Sequence, residues 1–137
     1  MKFLNVIILA LMFSKTDINV IGPQIQNIQI NYFENLGWIH LPKNGLPGWV
    51  HLPKDGSIQL KIKTKNADEL LVWYVPGGSG TWKYRRLVAE DKTPSNEHLL
   101  KWSFSKADDI HGHLVIEAIN SNKKSIRYIL NITQEEG

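Results

Sequence analysis

The sequence predicts an all-β protein, an antiparallel sandwich of about seven to nine strands, and three observations predict it. Six runs alternate apolar and polar residues with a period of two, as a strand does when one face is buried and the other solvated. Clusters of turn-forming residues, KNADE, PGGSG, EDKTPSNE and NSNKK, separate the later runs. No stretch sustains a helical period.

The chain has 137 residues, enough for one domain with a single core. It opens with MKFLNVIILALMFSKTD, a lysine followed by an apolar run from Phe3 to Phe13 broken only by Asn5. A bilayer-spanning helix needs about 20 apolar residues, so this run reads as the apolar centre of a secretory signal peptide. We expect residues 1–16 to be that signal, 17–36 to hold a first strand and lead-in, and 37–137 to form the sandwich. The mature chain is then exported, without a membrane span.

In IQINYF, Ile28, Ile30 and Tyr32 share a face. In SIQLKIKTK, Ile58, Leu60, Ile62 and Thr64 alternate with Gln59, Lys61, Lys63 and Lys65. In LLVWYVP, Leu71, Trp73 and Val75 share the expected core face. Then come Leu100, Trp102 and Phe104 in HLLKWSFS, Leu114, Ile116 and Ala118 in HLVIEAIN, and Ile126, Tyr128, Leu130 and Ile132 in SIRYILNIT. SKADDIHG offers Ser105 as a cap for one helical turn.

From about Trp49 to Thr133 these residues resemble an immunoglobulin-like or fibronectin-like β-sandwich of the kind found in exported bacterial proteins. The pattern D-x-G-x-Y-x-C-x-A-x-N of the sixth strand is met by Gly112, Ala118 and Asn120, with Leu114 in place of the tyrosine and Ile116 in place of the cysteine. The resemblance implies that Ile62 stands at the other cysteine position and Trp73 at the buried tryptophan. It predicts that Ile62, Trp73 and Ile116 pack together at the centre, aliphatic contact replacing the disulfide. It also implies an extracellular module that binds, spaces or presents something.

GWIHLPKNGLPGWVHLPKDG states one segment twice, starting at Gly37 and again at Gly48. Each copy ends in a turn sequence, Pro-Lys-Asn-Gly or Pro-Lys-Asp-Gly. Paired with each other as a hairpin over 37–56, the copies would set Trp38 across from His51 and His40 across from Trp49 on one face. Ile39, Leu41, Val50 and Leu52 would share the other. Trp38, His40, Trp49 and His51 are therefore the candidate ligand-binding residues, an aromatic platform for a protein or glycan. Since the second copy leads directly into a strand, Trp49 is expected to be the more buried tryptophan.

Chemistry elsewhere is thin. The chain has no cysteine, which removes disulfides, thiol catalysis and cysteine-ligated zinc. DDIHGH places His111 and His113 outward on a strand with Asp108 and Asp109 nearby, but no third ligand is identifiable, so no metal and no cofactor are expected. PGGSG lacks the lysine and the helix of a phosphate-binding loop. Lys83, Arg85 and Arg86 follow it on an expected strand, with Lys83 and Arg85 on one face. Adjacent acidic residues such as Glu90 and Asp91 face different ways and cannot act as a hydrolytic pair. A net charge of +3, spread along the chain, argues against nucleic acid as a partner. The reading is a monomeric, non-enzymatic, exported module that binds a surface protein or glycan or acts as a spacer. Its alternative is a small secreted histidine-dependent metal-binding protein or hydrolase, which needs at least three of His40, His51, His98, His111 and His113 in one cleft with a carboxylate.

Overall fold

The computed structural model describes residues 22–32, 37–42 and 48–135, so the expected signal at 1–16 and the turn after the first repeat copy lie outside the described residues. The alternating runs form nine strands: β1 Gln24–Asn31, β2 Ile39–His40, β3 Val50–Leu52, β4 Gly56–Lys65, β5 Glu69–Pro76, β6 Arg86–Asp91, β7 Glu97–Phe104, β8 His111–Ile119 and β9 Ser125–Gln134. They make a four-stranded sheet, β2-β1-β4-β7, facing a five-stranded sheet, β3-β9-β8-β5-β6. Every pairing is antiparallel except β3 with β9, which is parallel. This is an immunoglobulin-like β-sandwich.

The core lies between the inward sets that alternation selects. Ile62 on β4 and Ile116 on β8 are both fully buried, at the positions expected of them. Ser105 and Asp108 bracket a 3-10 turn at Lys106–Asp108, where the Asp108 carboxylate accepts the Ser105 N–H at 2.7 Å.

The two repeat copies do not pair with each other. The first forms β2 against β1, with Ile30 opposite Ile39 and the Leu41 N–H donating to the Ile28 carbonyl at 2.9 Å. The second forms β3 against β9, with Val50 opposite Ile132 and Leu52 opposite Gln134. Each copy is thus an edge strand of a different sheet. The alternation within each copy holds: Val50 and Leu52 are buried, Ile39 and Leu41 pack on the core, and His40 and His51 are exposed. One short strand motif closes each sheet over the same core.

Strand β5 also corrects the reading. Leu70, Val72 and Tyr74 point inward, so Trp73 is on the outer face and does not pack with Ile62 and Ile116. The run is apolar on both sides, and alternation alone cannot fix its phase. The polar tips decide it. The Tyr74 hydroxyl donates to the His111 carbonyl at 3.2 Å and accepts the His111 N–H at 3.0 Å, which satisfies an inward tyrosine. The buried tryptophan is Trp102 on β7, with its ring 5.4 Å from Phe104 and 6.0 Å from Tyr74.

Candidate binding face

The outer face of the five-stranded sheet gathers residues that are far apart in sequence. Cross-strand register sets Ile129, Val115, Trp73 and Leu87 in one row across β9, β8, β5 and β6. The next row brings Arg127, Glu117 and Leu71 together. Directly opposed residues in antiparallel strands point the same way, so both rows face outward.

After β5 the chain turns through Gly78 and Gly80, both at positive φ, and enters a 3-10 turn at Trp82–Tyr84. The expected strand through Lys83 and Arg85 is therefore a turn, and β6 begins only at Arg86. That turn carries Trp82 back over the sheet, where its ring meets Trp73 edge-on at 6.1 Å. The Arg85 guanidinium lies 4.5 Å from the Trp82 ring centre and 4.9 Å from that of Trp73, and Arg127 lies 4.4 Å from Trp82. Glu117 ties the cluster from below, accepting the Trp73 indole N–H at 3.2 Å on one oxygen and the Arg127 Nε–H at 3.0 Å on the other. Both carboxylate oxygens of this nearly buried group are thus satisfied. Around the cluster Tyr84, Ile129 and Leu87 stand 62%, 45% and 44% exposed.

A second aromatic contact lies further along β8. Trp49, 47% exposed, stacks on the His111 ring with centroids 5.1 Å apart. His111 and His51 are both register partners of Thr133, one from each side, so Trp49 and His51 belong to this same outer face. His113 bonds through Nδ1 to the Asn131 carboxamide at 2.8 Å. Trp38 and His40 sit on the other sheet: the Lys61 ammonium lies 4.4 Å from the Trp38 ring centre, and His40 Nδ1 is 3.3 Å from the Asn27 side-chain oxygen. The four expected platform residues are therefore divided between opposite faces. Trp38 is half-buried and Trp49 the more exposed, the reverse of the expected order.

His98 is enclosed in the sandwich, its Nδ1 2.8 Å from the Asp91 carboxylate and its Nε2 3.2 Å from the Thr64 hydroxyl. The Thr93 N–H and the His98 ring hold the Asp91 carboxyl below the ordinary carboxylate range. This arrangement joins β6, β4 and β7 inside the fold, and Thr64, like His98, is 1% exposed. Among the described residues no group of three or more acidic or histidine side chains is placed to hold a metal ion.

Trp82, Glu117 and Arg127 are the residues that reading the sequence passes over, and Arg85, expected on a strand beside Lys83, lies instead over two tryptophans. A signal for two of them was present: NSNKK marks a hairpin turn, and folding β8 and β9 about it sets Glu117 opposite Arg127.

No protein-family model and no curated protein matches the chain. Among solved structures it is similar to a chain from a structure on T cell specificity and activation by the bacterial superantigen toxic shock syndrome toxin-1, at 14% identity and a TM-score of 0.41 over 65% of this chain and 94% of that one. It is also similar to murine CRIg, at 9% identity and a TM-score of 0.41 over 83% of this chain and 98% of that one. These are likenesses of backbone only.

Proposed function

We propose that this protein is a non-enzymatic, exported immunoglobulin-like module that binds a protein partner outside the cell through the outer face of its five-stranded sheet. The observation that carries the proposal is the Trp73, Trp82, Arg85 and Arg127 cluster, ringed by exposed Tyr84, Leu87 and Ile129. Tryptophan, tyrosine and arginine concentrate binding energy at protein interfaces, and the surrounding aliphatic groups exclude water from the contact. Trp49, His51 and His111 extend this face toward β3. Trp38 and His40 lie outside it. A secreted hydrolase would gather its titratable groups in one cleft, whereas here His98 is sealed in the interior, His40 is on one sheet and His51, His111 and His113 are on the other. Export rests on the Lys2-to-Phe13 segment.

The test is a cross-linking capture from the surface fraction of the producing cells with the intact chain, run beside Trp82→Ala and Arg85→Ala. We expect the wild type to retain a specific protein and both variants to lose it, with denaturation midpoints close to that of the wild type. Equal capture by all three would overturn the proposal.

A further inference from the structure

The four-stranded sheet turns a chemically different face to solvent. Alternation along β4 points Lys61, Lys63 and Lys65 outward, and Lys101 on β7 joins them as the register partner of Gln59. Successive outward residues of a strand are about 6.8 Å apart, so the three β4 lysines project from evenly spaced backbone positions. Among the described residues one carboxylate shares this face, that of Glu97 opposite Lys63. Yet the ion pairs among the described residues are Lys92 with Glu90, His98 with Asp91 and Arg127 with Glu117, none of them involving this row. Carboxamides flank the row in register: Asn27 beside Lys63, Gln29 beside Lys61, and Asn31 beside Gln59. Trp38 closes one edge against Lys61.

We propose that this face binds a linear acidic polysaccharide, its carboxylate or sulfate groups on the lysine row and its hydroxyls on the flanking carboxamides. Charge complementarity is the first argument, because among the described residues four lysines outside any ion pair share this face with one carboxylate. The carboxamides are the second, since each presents both a donor and an acceptor, as sugar hydroxyls require. Single-stranded nucleic acid fits less well: it needs several free aromatic platforms, and the indole described here is already covered by an ammonium group. An anionic membrane fits less well too, because among the described residues the large apolar side chain exposed on this face is Leu99 alone, at 64%. The inference does not depend on the opposite face, whose residues it does not use.

The experiment measures binding of the intact chain to a heparin oligosaccharide of defined length and to an oligogalacturonate, at about 0.15 M salt, where weak surface electrostatics are screened. The first probe carries sulfate and the second carboxylate alone, so the pair identifies the anionic group. A single-stranded oligonucleotide is the comparison. The triple variant Lys61→Gln, Lys63→Gln, Lys65→Gln should lose at least about tenfold in affinity, the sum expected of three surface charge contacts. The triple variant Lys106→Gln, Lys123→Gln, Lys124→Gln removes the same net charge elsewhere and should stay within about twofold, as should Trp82→Ala. Equal loss in the two triple variants would overturn the proposal, as would absence of saturable binding to both polysaccharides or tighter binding of the oligonucleotide than of either.

Discussion

Trp102 is buried on the core face expected of it, whereas Trp73 is not, and the difference is measurable. Trp102 is 7% exposed between Tyr74 and Phe104, so Trp102→Ala should cost about 3–5 kcal/mol by chemical unfolding. Trp73→Ala removes a half-exposed ring and one hydrogen bond and should cost roughly 1–2 kcal/mol. Equal losses would show that the outer cluster is as structural as the core. Gly112 is a second such position. An added Cβ there would lie 2.2 Å from the Val75 carbonyl and 2.7 Å from the Gly77 nitrogen, both backbone atoms that cannot rotate aside. Gly112→Ala should therefore destabilise by about 1–3 kcal/mol or more. The motif places this glycine, but only the approach of the end of β5 explains it. Asp91 gives a pH dependence. Asp91 has its folded pKa below the unfolded value of 3.8, so its contribution is present above that value and is lost as pH falls through the lower, folded one. Unfolding midpoints measured between pH 5 and pH 2, taken as a rough acid range, should fall with acid in the wild type and fall less steeply in Asp91→Asn.

At the level of strands, the sequence reveals which residues share a face but not which strand lies alongside. The copies of the repeat are two and three residues long as strands, too short for pattern to specify a partner. Neighbouring contacts specify it instead. Leu52 is fully buried, and beyond it the Glu135 N–H donates to the Leu52 carbonyl at 2.9 Å. Leu52→Ala should cost about 2–5 kcal/mol, more than Leu41→Ala in the first copy, whose side chain is only partly buried. Gln134 gathers the same end of the molecule. Its side-chain oxygen accepts the Ile110 N–H at 2.9 Å while its nitrogen donates to the Lys54 and Ser105 carbonyls. A carboxylate cannot donate, so Gln134→Glu should destabilise more than Gln134→Met despite its closer shape, with denaturation midpoints as the readout. Nothing in the sequence marks this glutamine, because its partners are backbone atoms of distant turns.

For the molecule as a whole, the fold class was legible because six of the strands carry alternating runs between clear turn signals. The binding faces were not, since each is assembled from register across four or five strands. One core beneath two sheets should unfold as one unit, and tryptophan fluorescence and far-ultraviolet circular dichroism should report coincident transitions in urea.

The parallel pairing of β3 with β9 has a mechanical consequence. Gln24 at the start of β1 lies beside Lys65, at the pole where β4 ends, while Gln134 at the end of β9 lies beside Leu52, at the opposite pole. Tension drawn between Gln24 and Gln134 runs lengthwise along the strands. It pulls β9 forward past β3 and β1 backward past β4, so the hydrogen bonds of each ladder resist together in shear and do not open one after another like a zip. A domain threaded in this way holds its shape when it is stretched between these two residues.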